Sequence, residues 1–209
     1  SISNEWTELI TLPGELVGFR LLEWDNENFS DRYMSIYEIT EDYFDNPNTG
    51  LLIGAMPKEA SYCSVMTFIS ELNIEYQNRN YGFRLPNPDD EWEKFCSWDF
   101  SNYQTFPWGS EIQAHNANYL NSQFPEGSNG ITEVGLHQYP NVNGIYDLSG
   151  NVMEWLESGA CAQEPLLDTA KAGGGAYFSP PESLAVHFVS PPEALANASL
   201  TFPAPSFGS

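Results

Sequence analysis

The stretch NGIYDLSGNVMEWLES, residues 143–158, decides the fold. Its centre, Asp147-Leu148-Ser149-Gly150-Asn151, is small, polar and glycine-bearing, so it reads as a tight turn, with Gly150 at the sharpest point. Trp155 follows as a core aromatic, because an indole is stable mainly where most of it is packed. Asp147 and Glu154 place carboxylates at the two ends of the turn, with backbone carbonyls between them.

Two segments precede it: YGFRLPNPDDEWEKF at 81–95 and FPWGSEIQAHNANY at 106–119. In the first, Arg84 leads into a Pro-fixed turn. Asn87 is the expected N-cap of a helix, with Pro88 in its first turn and Asp89 and Asp90 near the positive end of its dipole. Trp92, Phe95 and Cys96 give that helix a face to bury. Further back, Thr40 caps a short helix with Glu41 and Asp42 in its first turn, and Pro47 and Gly50 stop it. Another helix is expected from Pro57, with Ala60, Cys63, Met66, Ile69 and Leu72 as its apolar stripe. ELITLPGEL, GFRLLEW and YMSIYEI read as strands, the first two around a Pro13-Gly14 turn. After Ser97 no long helical period survives. The fold class is therefore α+β: a helix-containing first half packed on a loop-rich second half. The 16 Gly and 15 Pro residues are spread along the chain, which favours one domain over 1–209.

The three segments, in this order and spacing, resemble the formylglycine-generating enzyme, or sulfatase-modifying factor, family. Its members carry a RLPTEAEWE-like helix start, a PWG turn, an NAN segment and a GLYDMxGNVWEW segment. ITLPGEL, YMSIYEITEDYF and AMPKEASYC are similar to further motifs of the family, so the resemblance covers nearly the whole chain. It implies a C-type lectin-like fold, irregular and loop-rich, with two to three helices packed on short antiparallel strands.

Calcium takes six to eight hard oxygen ligands, and one irregular loop can supply many of them. The resemblance implies one calcium at Asp147, Gly150, Val152 and Glu154, through the outer side chains and the two intervening carbonyls. A second calcium would use Asn118 and Tyr119 with an acid and a carbonyl further on, Glu126 or Asn129 being the candidates. The plainer alternative is that Asp147 caps a turn and Glu154 is a solvated acid.

Other chemistry is harder to find. Family members that make formylglycine use a pair of cysteines near the C-terminus, after a GGSW-like strand that here reads GGGAYFS, 173–179. No cysteine follows Cys161, so that oxidation has no soft ligand or nucleophile, and no copper is expected. Cys63 and Cys96 fall on expected helices, where a thiol usually behaves as a small buried hydrophobe, although a disulfide is open to them. His115, His137 and His187 lie in no metal-binding spacing, and GGG at 173–175 is not followed by the Lys-Ser/Thr of a phosphate loop.

The formal charge of −22, from 29 acids against 7 bases, argues against nucleic acid or an anionic membrane as partner. It reads first as solubility, with a cation-rich ligand as the alternative. The opening SISNEWTELI has neither a basic start nor an apolar run, and no stretch approaches bilayer length, so membrane insertion is not expected.

The last segment departs from the family. GGGAYFSPPESLAVHFVSPPEALANASLTFPAPSFGS contains no arginine, where the family uses several. One branch of the fold serves as the variable protein of diversity-generating retroelements, in which adenine-directed mutagenesis rewrites codons near the C-terminus. AAC or AAT codons cannot mutate to Glu, Gln, Lys, Met or Trp, and residues 173–209 contain only Glu182 and Glu193 of that set. The resemblance therefore implies a non-catalytic binding protein for a protein or glycan ligand, with cell or virion surface display as one address. Its face would carry Tyr177, Phe178, Ser179 and Pro180, then His187, Val189 and Ser190, then Asn197, Ser199, Thr201 and Phe202. Such aromatic anchors with small polar neighbours are the chemistry of antibody paratopes. The competing readings are a metal-dependent enzyme of another branch, whose histidines would have to converge, and a fixed-specificity lectin or adhesion module.

Overall fold

A computed structural model describes residues 33–46, 56–75, 82–88, 91–97, 104–122, 130–141, 144–157, 171–175 and 177–185, residue 77, and the segments 19–21, 189–190, 198–199 and 203–204. Among the described residues three helices lie in the first half: α1 (Glu41–Asp45), α2 (Tyr62–Glu75) and α3 (Trp92–Ser97). The strands are β1 (Phe19–Leu21), β2 (Tyr33–Ser35), β3 (Met153–Leu156), β4 (Lys171–Gly173), β5 (Val189–Ser190), β6 (Ala198–Ser199) and β7 (Pro203–Ala204). They form an antiparallel sheet β1-β2-β7 and a second sheet β5-β4-β3-β6. β3 and β6 run parallel, which departs from the expected all-antiparallel pairing. The expected strands at ELITLPGEL lie outside the described residues.

Thr40 caps α1 as its sequence predicts, its hydroxyl accepting the Tyr43 amide at 3.4 Å. α2 begins at Tyr62, later than Pro57 suggested. Pro57 is held in a bridge with Thr40, and Ser61 takes the cap through the Ser64 amide. The buried stripe accordingly shifts to Tyr62, Val65, Phe68, Ile69 and Leu72. Ala60, Cys63 and Met66 are only half-buried. Cys63 is disulfide-bonded, so its chemistry differs from the buried free thiol of Cys96. Phe68 stacks on Phe44 and meets Tyr43 edge-on, which docks α2 on α1.

α3 also starts late, at Trp92. Asn87 contributes its carbonyl, which accepts from the amides of Glu91 and Trp92, while the buried Glu91 carboxylate receives the Asn87 amide and the Arg84 guanidinium. The expected cap thus runs in the reverse sense, because Glu91 is the residue drawn inside.

One core cluster joins the two halves: Met34 of β2, Trp92 and Cys96 of α3, Ile145 and Leu148 of the loop, and Leu156 of β3. Trp155 is buried as expected, its Nε1 donating to the Ala60 carbonyl at 2.9 Å and its ring meeting Tyr62. A second cluster gathers Phe106, Ala117, Leu184 and Ala185, with Trp108, Ile112 and Tyr119 packed on its side. Leu184 reaches it from a 3-10 helix, Pro181–Leu184.

Candidate functional site: an acidic hub beneath the terminal segment

The loop that leads into β3 takes an unusual path. Asp147, Gly150 and Asn151 all have left-handed backbones, with φ of 56°, 85° and 64°. Asn and Asp tolerate that region better than other non-glycine residues, and Gly150 has no Cβ to obstruct it. A side chain at Gly150 would also meet the Asn118 carbonyl at 2.5 Å.

The path turns the Asn151 amide inward, where it is almost wholly buried. Its Oδ1 accepts from the Thr132 amide at 2.8 Å, the Thr132 hydroxyl at 3.2 Å and Asn118 Nδ2 at 3.1 Å. Its Nδ2 donates to the Glu38 carboxylate at 2.8 Å and to the Thr132 carbonyl at 3.1 Å. The other oxygen of Glu38 receives the Val152 amide at 3.2 Å. A single side chain therefore ties together four segments that are remote in sequence.

Three buried acids meet around this hub. Glu38 holds the Asn151 and Val152 donors, and Asp147 accepts the Gly135 amide at 3.0 Å. Glu154 is 0% exposed, and neither carboxylate oxygen has a hydrogen-bond partner. Burial lifts all three proton affinities. Asp147 is pushed up to about 6, against the pull of the Gly135 amide. Glu38 is raised well above the usual carboxylate range by burial and then by Asp147, and Glu154 by burial and then by Glu38 and Asp147. Among the described residues no Lys or Arg pairs with any of them. Mutually repelling carboxylates in a dry interior are stable only when protonated or when a cation sits among them.

The residues suit a hard cation in part. The bare Glu154 carboxylate and the Leu148 carbonyl both crowd the open side of Gly174, where a Cβ would stand 2.6 Å from that carbonyl. Among the described residues no three His, Cys, Asp or Glu side chains converge closely enough to hold an ion alone, so backbone oxygens would have to complete the shell. Glu154 is not the solvated acid of the plainer alternative. Asn118 is engaged elsewhere, its Nδ2 donating to the Gly130 carbonyl at 2.8 Å and to Asn151, while Tyr119 is half-buried with its phenol raised by burial. Glu126 and Asn129 lie outside the described residues.

The hub also anchors the start of the terminal segment. β4 ends at Gly173, so GGGAYFS is mostly turn where a strand was expected: Gly174 and Gly175 are left-handed, with φ of 85° and 66°. The Gly174 carbonyl accepts the Gly150 amide at 2.7 Å, and the Tyr177 amide donates to the Asn151 carbonyl at 2.9 Å. Tyr177 is half-buried and meets Phe178 edge-on, while Phe178 is 40% exposed. Ser179 is buried, its carbonyl accepting the Leu120 amide at 3.0 Å, and Pro180 is half-buried. Ser179 is thus turned inward, where the sequence had suggested an exposed position. Val189, Ser190 and Ser199 are placed by their backbones in β5 and β6. His187, Asn197, Thr201 and Phe202 lie outside the described residues.

A family model, the sulfatase-modifying factor enzyme 1-like domain, matches residues 55–199. The chain belongs to this family. Among curated sulfatase-modifying factor relatives, it is 36% identical over 83 residues to "Inactive C-alpha-formylglycine-generating enzyme 2" of Bos taurus, covering 37% of this chain and 27% of that protein. It is 37% identical over 83 residues to "Formylglycine-generating enzyme" of Mus musculus, covering 35% of this chain and 22% of the relative. The matched part is thus about a quarter of those proteins' length. Among solved structures, "Treponema denticola variable protein 1" superposes with a TM-score of 0.62 at 18% identity over 85% of each chain. PvdO from Pseudomonas aeruginosa does so with a TM-score of 0.58 at 17% identity, over 84% of this chain and 80% of that one. These likenesses show the C-type lectin-like fold expected of the sulfatase-modifying factor family.

Three residues of the hub, Glu38, Thr132 and Asn151, were not singled out in the sequence. Glu38 lies in an apolar strand-like run, YMSIYEI, where an acid had no exposed face to occupy. Asn151 follows Gly150 in the turn, where its left-handed backbone gives it the inward aim.

Proposed function

We propose that this is a non-catalytic ligand-binding protein, the variable protein of a diversity-generating retroelement, whose C-terminal face grips a protein or glycan ligand. The observation that carries the reading is the contrast across one residue. The Tyr177 amide is fixed to the buried Asn151 carbonyl, and the next side chain, Phe178, stands in solvent. A pinned root with an open tip lets side chains vary without moving the frame. The superposition on a variable protein at a TM-score of 0.62 supports the same reading.

The described cysteines support a non-catalytic role. Cys63 is in a disulfide, and burial, then Glu154 and Glu93, push the Cys96 thiol well above its ordinary value, so it is no thiolate. Calcium is proposed as a structural ion held by Asp147 and Glu154 with the Gly150 and Val152 carbonyls. Bound there, it supplies charge compensation to the three acids and fixes the loop beneath the face. Asn118 and Tyr119 are proposed as the start of a second such site.

Sequencing the locus tests the function. A reverse transcriptase gene and a near-copy of the 3′ end, differing at template adenines, are expected beside the coding DNA. An invariant 3′ end across isolates, with no such template, overturns variability and leaves a fixed-specificity module. Iron or copper in the purified protein, with turnover, would overturn the non-catalytic role.

A further inference from the structure

The open tip does not stand alone. Leu120, 45% exposed, lies across the Leu120 amide–Ser179 carbonyl bond from Phe178, 40% exposed. Tyr119 and Trp108 lie half-buried on the cluster that Leu184 closes from the terminal side. Trp108 is parallel to Phe106, at 4° and 5.9 Å, and its Nε1 donates to the Glu111 carbonyl at 2.8 Å, which fixes the indole plane. The exposed Phe178 and Leu120 and the half-buried Tyr119 and Trp108 make up an apolar shelf, its two chain segments tied by the Leu120–Ser179 bond and by the cluster that Leu184 joins. Its edges are acidic: Glu111 is exposed beside Trp108, and Glu182 is exposed on the 3-10 helix that delivers Leu184. From residue 95 onward the only Lys or Arg in the sequence is Lys171.

We infer that the occupant of this shelf is a polypeptide segment that pairs an aromatic or apolar side chain with Lys or Arg. The inference rests on the reading of the terminal segment as a binding face and names the chemistry of its partner. Aromatic rings attract cations to their faces, and carboxylates at the rim steer a basic segment and set its register. Rigid aromatic anchors at the centre with polar groups outside are the usual layout of a protein-binding hot spot. The exposed Glu111 and Glu182 carboxylates could accept from sugar hydroxyls as well, so the choice of a polypeptide rests on the rim's charge, which Lys or Arg answers and a neutral sugar does not.

Selection of phage-displayed random 12-residue peptides on the full chain tests the inference, with mannan and dextran as glycan probes on the same surface. Selected peptides are expected to be enriched at least threefold in Lys or Arg beside an aromatic residue. Synthetic copies should lose about tenfold in affinity to Phe178→Ser or Leu120→Ser, and several-fold to the Glu111→Gln, Glu182→Gln pair. Both apolar positions are exposed, so circular dichroism should not change. Peptides that depend on Phe178 without basic enrichment overturn the partner chemistry and leave the binding face standing. Basic peptides indifferent to Phe178 and Leu120 show attraction by net charge alone and overturn the shelf. Mannan or dextran bound in preference to every peptide, and lost with Phe178→Ser, overturns a polypeptide occupant.

Discussion

Replacement of Asn151 by Ala tests whether the hub holds the scaffold together. The change removes five hydrogen bonds and leaves the Thr132 amide, the Asn118 side chain and one oxygen of Glu38 facing a cavity. Each buried group left unsatisfied costs about 1–3 kcal/mol. A left-handed backbone at φ 64° adds about 1 kcal/mol once Asn is gone. Water entering the gap returns part of this, so the expected loss is about 4 kcal/mol, a large share of the roughly 5–15 kcal/mol typical of a domain. Urea unfolding followed by far-UV circular dichroism, in EDTA, is the assay. With a slope of about 2 kcal/mol/M, the midpoint should fall by about 2 M. Thr132→Val, which removes one hydroxyl bond to Asn151, should cost about 1 kcal/mol. A loss for Asn151→Ala no larger than that of Thr132→Val refutes the reasoning.

Gly174→Ala should cost about 2–4 kcal/mol or prevent folding, because the new methyl meets the Leu148 carbonyl and the Glu154 carboxylate at a left-handed φ; thermal unfolding reads it, and a wild-type midpoint refutes it. Calcium at about a hundredfold over its dissociation constant should stabilise by about 2.7 kcal/mol and raise the midpoint by roughly 5–10 °C. Glu154→Gln should fold yet lose that response, and an undiminished calcium shift rules Glu154 out as a ligand. In EDTA, stability should fall as pH rises from about 4 through about 6: the folded state binds protons on Asp147, Glu38 and Glu154 that the unfolded chain has already released. Flat urea midpoints across that window contradict the buried acids. Alkylation mapped by mass spectrometry should find Cys96 protected until unfolding and Cys63 protected until reduction.

The elements with a strong local signal were legible. Thr40 at the cap of α1 and Trp155 in the core follow from a capping oxygen and a large apolar surface. The starts of α2 and α3 were not, because Ser61 and Glu91 competed with the more conspicuous prolines, and which one caps depends on partners in other segments. The acidic hub was half legible. Asp147 and Glu154 stand in one loop that draws attention to both, whereas Glu38 meets Asn151 across 113 residues, a contact no local pattern encodes. Ser179 was misjudged for a related reason: a short polar residue between Phe178 and Pro180 reads as surface, and only the pairing with Leu120 turns it inward.

The outer strands β5 and β6 touch the sheet through two residue pairs each, Ala172 with Ser190 and Gly173 with Val189, Met153 with Ala198 and Glu154 with Ser199. These are main-chain ladders, and main-chain ladders are indifferent to what each Cα carries. A sheet closed this way owes the placing of its two outer strands to backbone pairing, so a change of side chain at these edge positions leaves the hydrogen bonds that hold them still available.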